Sequence, residues 1–176
     1  EAQVSEEDQI PDEIVSEMRD LGLFGLTIPE SYGGLGLNSE EECHIVMELG
    51  RTSPAFRSVV GTNMGIGSQG LLMDGTEEQR RHFLPKLASG EIIGSFALTE
   101  PNAGSDAASL ETKAVEDGDD FLLTGTKQWI TNAKSAQLFT VFARTDPNET
   151  RSRGVSAFLV EADRSGISLS SNYKKM

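Results

Sequence analysis

Two stretches of this sequence hold residue types that a packed core does not require. Thr99-Glu100-Pro101-Asn102-Ala103-Gly104-Ser105-Asp106 leaves an apolar run with two hydroxyls and several small residues, so its backbone N–H groups can approach an anion closely. It reads as a turn or as a phosphate nest. Gly125-Thr126-Lys127-Gln128-Trp129-Ile130-Thr131-Asn132 holds the only tryptophan. An aromatic wall beside the Thr131 hydroxyl can pack a flat ring and hydrogen-bond its edge. The plainer alternative is a core tryptophan with a strand-end threonine.

Other patterns lead nowhere. Gly65-Ile66-Gly67-Ser68-Gln69-Gly70 matches a dinucleotide fingerprint, but no strand precedes it and no long helix follows, so it reads as a small-residue helix face for close packing. His44 and His82, the only histidines, lack ligand-spaced partners, and no metal site is expected. No G-x-S-x-G elbow is present. Glu1, Glu6, Glu7, Asp8, Asp12, Glu13 and Glu17 read as a solvated face. Asn148-Glu149-Thr150 is a glycosylation sequon by letter only.

The elements that must position the two stretches fall into two groups. Ile14, Val15, Met18 and Leu21 have the spacing of one helical face, ended by Gly22. Leu26 to Leu37 is too rich in Pro and Gly for a regular element and reads as a loop pinned by its leucines. Ser39 and Glu42 predict a capping box, with Cys43, Val46, Met47 and Gly50 along the face that follows. A third helix is predicted from Pro54 to about Leu72, and a fourth from a Thr76/Gln79 cap to Gly90 through Phe83, Leu84 and Leu87. From Glu91 strands take over. Ile92 to Leu98, Thr112 to Val115, Phe121 to Leu123, Gln128 to Ile130, Leu138 to Ala143, Val155 to Val160 and Ile167 to Leu169 are short segments, with a hairpin turn at Asp117-Gly118. The fold class expected is α+β by segregation: a helical domain over 1–90, then an antiparallel β-barrel or sandwich over 91–176.

Composition limits the partners. The 176 residues are 37% hydrophobic and 24% charged, as a packed soluble fold would be. Fifteen Lys and Arg against 28 Asp and Glu give a net charge of -13, which disfavours nucleic acid and anionic lipid surfaces. Cys43 is the only cysteine, the first ten residues are acidic rather than basic, and no apolar run approaches bilayer length. An intracellular protein with no membrane span is expected.

Phe96-Ala97-Leu98-Thr99-Glu100-Pro101-Asn102-Ala103-Gly104-Ser105-Asp106 and Lys127-Gln128-Trp129-Ile130-Thr131-Asn132, in that order, closely resemble the two signature stretches of the FAD-dependent acyl-CoA dehydrogenases. The resemblance continues through Ile28 to Gly36, Gly75 to Gln79 and Phe158 to Glu161, and on to Lys175-Met176. It implies the family's helical and β domains without its C-terminal helical domain.

By this resemblance Phe96, Leu98, Thr99, Gly104 and Ser105 lie along FAD and its pyrophosphate, with Thr99 at the ring edge and Ser105 also near the acyl-CoA. Trp129, Ile130 and Thr131 lie against the isoalloxazine, Thr131 near N5. The family's reaction takes the α-proton of an acyl-CoA thioester with a glutamate base while the β-hydrogen leaves as hydride to the flavin. That glutamate belongs to the C-terminal domain, so no catalytic base is expected here, and a chain ending at Met176 is expected to be inactive alone. Implied too are an electron-transfer flavoprotein as acceptor, a homotetramer, a role in fatty acid β-oxidation, and a cytoplasmic location in a bacterium or the mitochondrial matrix in a eukaryote.

Phe56-Arg57-Ser58 resembles the glutaryl-CoA dehydrogenase branch, where an arginine in this place meets the distal carboxylate. This makes Arg57 and Ser58 candidate substrate residues, since a guanidinium fork suits a carboxylate; the alternative is a surface or interface arginine. An acyl-CoA oxidase and a non-catalytic flavin- or CoA-binding homologue are the competing functions.

Overall fold

The structure is a computed structural model that describes residues 4, 9–149 and 151–171. Glu1, Glu6, Glu7 and Asp8 of the acidic face, Thr150 of the sequon and Lys175-Met176 lie outside the described residues. Helices occupy the first half and a sheet the second, as the patterning predicts.

α1 (Asp12–Asp20) carries Asp12 and Glu13 in its first turn and Arg19 in its last, charges that complement the helix dipole. Asp12, Glu13 and Glu17 are solvated, and Met18 is buried, while Leu21 is exposed instead of joining the apolar face. The following loop is held by Leu26 and Leu37, whose backbones are hydrogen-bonded to each other, whereas Leu35 is tied through its backbone N–H to the Gly25 carbonyl and leaves its side chain exposed.

α2 (Ser39–Leu49) starts one residue earlier than the predicted cap: Asn38 and Glu41, not Ser39 and Glu42, form the capping box. Its inward side is Ile45 and Val46, and Cys43 and Met47 face solvent. The long third helix is broken. α3 (Pro54–Met64) ends at Gly65, and α4 (Gln69–Asp74) restarts beyond it. The glycine-rich run is therefore a joint between helices and not a helix face. A Cβ on Gly67 would lie 2.7 Å from the Thr62 carbonyl and 3.3 Å from the Gly94 carbonyl carbon. α5 (Glu77–Ser89) has the Thr76/Gln79 box and the left-handed Gly90 cap where the sequence predicts them.

β1 (Gly94–Ala97), β2 (Lys113–Asp117), β3 (Asp120–Thr124), β4 (Leu138–Arg144) and β5 (Val155–Glu161) form one sheet. β5 runs antiparallel along the whole of one edge of β4, with Leu138 opposite Glu161 and Arg144 opposite Val155. On the other edge β1 runs parallel to β4, Gly94 opposite Leu138, and β2 touches its end at Arg144. The sheet is thus mixed rather than wholly antiparallel. β2 and β3 form the predicted hairpin, with Gly118 at φ 66°. Gln128 to Ile130 and Ile167 to Leu169 form no strands.

The two halves share their interior. Ile93 joins Met18, Phe24, Leu26, Val60 and Met64 in one buried cluster, and Leu138 joins Ile28, Leu71, Leu84, Leu87 and Ala88 in the other. Each cluster thus takes one buried residue from the second half, and burying a residue of this size contributes roughly 1.5–3 kcal/mol, so these contacts help hold the halves together.

Candidate functional site

The site is built on the C-terminal end of β1. Phe96 is half-buried against Phe142, its ring 4.9 Å away, and Leu98 and Thr99 continue the chain out of the strand. The loop after Thr99 then folds on itself, with Glu100 and Ala103 exchanging backbone hydrogen bonds. Ala103 is buried, Pro101 and Asn102 form the exposed apex, and Gly104 and Ser105 follow it, exposed too.

Glu100 is the fixed point of this loop and is 5% exposed. Its carboxylate accepts from Lys127 Nζ at 2.7 Å, from the Thr112 hydroxyl and N–H, and from the Glu111 N–H. Burial raises the Glu100 pKa, but these donors outweigh it and the net shift is downward. Burial likewise pulls Lys127 below its usual value, against the opposing pull of Glu100. Lys127 also donates to the Leu98 carbonyl, and Gln128 N–H to the Thr99 carbonyl at 2.8 Å. Leu98 to Glu100 and Lys127 to Gln128 are therefore one fastened unit.

Beyond Gln128 the chain turns sharply. Trp129 has φ 60° and Asn132 φ 66°, left-handed values that asparagine tolerates and a bulky aromatic resists. Holding tryptophan there costs about 1–3 kcal/mol, so the surroundings must impose it. They do so through three ties: Gln128 to Thr99, the Ser95 hydroxyl to the Thr131 carbonyl at 2.6 Å, and Asn132 Nδ2 to the Val59 and Gly94 carbonyls. Trp129 is 56% exposed, so the core-tryptophan alternative is excluded. Ile130 is half-buried and Thr131 exposed.

The structure brings Leu98, Thr99, Trp129, Ile130 and Thr131 onto this one clasp. Arg57 and Ser58 lie on α3 beside Val59, whose carbonyl the clasp engages. Arg57 is exposed, and among the described residues no carboxylate lies within ion-pair distance of it. Its guanidinium lies along the helix over Gly61, where a Cβ would come within 3.0 Å of Arg57 Cζ.

Behind Leu98 is an apolar cavity of about 210 Å³ lined by Ala107, Ala108, Leu110, Phe142, Ser152 and Val155. Arg144 ties the Ala108 carbonyl of its lining to the Glu149 carbonyl, donating to both. Among the described residues no cluster of His, Cys, Asp and Glu could hold a metal ion, and no helix is long and apolar enough to cross a membrane.

The residues that sequence reasoning missed are the fasteners: Ser95, Lys127 and Asn132, and Asn63, whose amide donates to Phe24 and Leu87 and accepts from Gly94. Only the left-handed tolerance of Asn132 left a local signal.

The family model described as acyl-CoA dehydrogenase, N-terminal domain, matches residues 1–91, and that described as acyl-CoA dehydrogenase, middle domain, matches 95–176. (2S)-methylsuccinyl-CoA dehydrogenase of Cereibacter sphaeroides is 46% identical over 152 residues, 86% of this chain and 28% of that protein. The structure of a glutaryl-CoA dehydrogenase from Mycobacterium smegmatis in complex with FADH2 superposes with a TM-score of 0.86 at 37% identity, covering 95% of this chain and 42% of that one. An acyl-CoA dehydrogenase from Bacillus anthracis complexed with FAD gives a TM-score of 0.84 at 39% identity, covering 93% and 27% respectively. The chain spans less than half the length of each of these relatives. With both family models matched in sequence order, one across the helices and the other across the sheet and its clasp, the chain belongs to the acyl-CoA dehydrogenase family.

Proposed function

We propose that residues 1–90 and 91–176 are the N-terminal helical and middle β domains of a FAD-dependent acyl-CoA dehydrogenase, working with parts of the enzyme outside these residues. The observation that carries this reading is the clasp itself: an exposed indole held at a strained backbone angle by hydrogen bonds to the neighbouring Thr99 segment. Strain imposed on an exposed aromatic suits a planar partner better than it suits packing.

The residues present fit a flavin. Trp129 and Ile130 offer a wall, Thr99 and Thr131 offer hydroxyls at its edge, and Phe96, Leu98, Gly104 and Ser105 follow along β1 and its loop. FAD, when bound, supplies the hydride acceptor for the β-hydrogen. The chain's own part is to orient and to exclude water. Glu100 is not available as the base, because its oxygens are occupied by donors and its pKa is depressed rather than raised toward neutrality. As the family resemblance implies, the α-proton falls to a carboxylate from beyond these residues, with Ser105 near the acyl-CoA.

For the substrate we favour a dicarboxylyl-CoA. Arg57 carries on α3 a guanidinium with no carboxylate within ion-pair distance among the described residues, and two of the relatives act, by name, on methylsuccinyl-CoA and glutaryl-CoA. Arg57 and Ser58 would meet the distal carboxylate, the fork supplying two parallel hydrogen bonds. An electron-transfer flavoprotein as acceptor, a homotetramer, a place in β-oxidation and a cytoplasmic or mitochondrial-matrix location follow from the same reading.

The test is flavin bleaching in the full-length protein under anaerobic conditions. Glutaryl-CoA should bleach the bound flavin faster than butyryl-CoA, and Arg57→Ala should erase the difference. An unchanged preference in that variant would sink the dicarboxylate assignment, and fast reoxidation by oxygen would favour an oxidase.

A further inference from the structure

Gly94, the first residue of β1, is gripped on both its backbone groups by asparagines. Asn63 Oδ1 accepts from its N–H at 2.7 Å, and Asn132 Nδ2 donates to its carbonyl at 3.4 Å. Asn63 is on α3, and Asn132 reaches α3 as well, donating to the Val59 carbonyl at 3.1 Å. The two carbonyls determine which way the Asn132 amide must face, because only its nitrogen can donate.

Asn132 follows Trp129 by three residues and lies inside the turn over 131–135, and Val59 is two residues from Arg57. The left-handed backbone at Asn132 aims its side chain back across the turn toward the helix. One amide thus ties the exposed Trp129–Thr131 wall, the start of β1 and the helix segment carrying Arg57 and Ser58.

We propose that Asn132 is a positioning residue, which sets the wall of the flavin site at a fixed distance from the α3 segment that faces the substrate. This rests on the flavin and substrate reading above. Hydride transfer is sensitive to that spacing: a displacement of about 1 Å costs on the order of a hundredfold in rate while leaving most binding contacts intact.

Two variants of the full-length protein, reconstituted with FAD, test it. Asn132→Gly keeps the left-handed backbone and removes the amide; Asn132→Asp keeps shape and backbone but points an oxygen at two carbonyls. Both should retain FAD, shift the visible absorption and circular dichroism of the bound flavin, and slow its reduction at saturating glutaryl-CoA by about ten- to a hundredfold. The half-saturating concentration should stay within about threefold, as expected for an interaction realised in the reacting geometry.

A flavin spectrum and saturating rate equal to wild type in either variant, even with a lowered melting temperature, would overturn the proposal, since the amide would then only stabilise. The variants perturb the tie differently, one by deletion and the other by repulsion, so one folded variant decides the matter. A wild-type protein that takes up no flavin would overturn the underlying reading and this proposal with it; variants that match a flavin-binding wild type overturn this proposal alone.

Discussion

Lys127 Nζ lies 2.7 Å from Glu100 Oε1, with the two side chains 12% and 4% exposed, so a nearly dry ion pair joins the loop after β1 to the turn that carries Trp129. The pair is embedded in further donors and acceptors, with Thr112 and Glu111 on the carboxylate and the Leu98 carbonyl on the ammonium. A buried pair adds little net stability over an apolar replacement, but one partner without the other is expensive. What the pair adds is a fixed register between two segments separated by a whole hairpin.

Removing one partner is therefore expected to be severe. Glu100→Gln should cost about 3–5 kcal/mol at neutral pH, because it strands the Lys127 charge in a site with little water. Replacing both, Glu100→Leu with Lys127→Met, should cost less than either single change. Urea denaturation of wild type, Glu100→Leu, Lys127→Met and the double variant measures the coupling, and a strictly additive double variant would show that the pair is not the organising contact.

Acid should expose the same group. The Glu100 carboxyl is held below the ordinary glutamate value by its donors, so its contribution to stability is complete above that ordinary value and is lost as pH falls through the depressed one. Denaturation midpoints should thus fall more steeply below pH 4.5 in wild type than in Glu100→Gln. Parallel acid limbs would assign the loss to other carboxylates.

The asparagine on the other side of Gly94 has a structural part. Asn63 is wholly buried, and its amide satisfies the Phe24 and Leu87 carbonyls and the Gly94 N–H at once. Asn63→Leu should lower stability by about 3 kcal/mol or more, since each orphaned buried group costs roughly 1–3 kcal/mol. A loss under about 1 kcal/mol in chemical denaturation would mean that water replaces the amide.

How far these features were legible in the sequence depends on how local their causes are. The Thr76/Gln79 box and the Gly90 cap were readable because each closes within one helical turn. In Asn38-Ser39-Glu40-Glu41-Glu42 two overlapping pairs have equal claim to the same box, and the structure uses Asn38 with Glu41. The break at Gly65 and the close approach of Gly67 to Gly94 are tertiary, as is the parallel pairing of β1 with β4 across an intervening hairpin. Gln128 to Ile130 has strand-forming side chains, yet the ties from Thr99, Ser95 and Asn132 override that preference and turn Trp129 left-handed. The signature stretches named the site, but its fasteners are long-range partners that no spacing rule could pair.

Close backbone approach at Gly125 offers a test of the clasp from behind. A Cβ there would fall 2.3 Å from Thr112 Oγ1 and 2.7 Å from Thr112 Cα, and Thr112 is one of the donors to Glu100. Gly125→Ala should cost about 1–3 kcal/mol, as overpacking does, and weaken FAD retention by displacing the loop. Unchanged stability together with unchanged flavin retention after gel filtration would show that Thr112 can retreat without disturbing Glu100.

Gly61 separates the role of Arg57 from its fold. It sits within α3, where alanine is the better helix former by roughly 1 kcal/mol, and it is half-buried with no positive φ to protect. The three atoms nearest an added Cβ are Arg57 Cζ and Nη1 at 3.0 Å and Nε at 3.4 Å, the far end of an exposed side chain. Gly61→Ala should therefore fold at least as stably as wild type while pushing the guanidinium off its seat on the helix. If Arg57 reads a distal carboxylate, the preference for glutaryl-CoA over butyryl-CoA should fall by about tenfold, the equivalent of one charged hydrogen bond misdirected, with little change in the rate on butyryl-CoA. Equal losses on both thioesters would point instead to a helix displaced as a whole, and an unaltered preference would leave Arg57 a surface arginine.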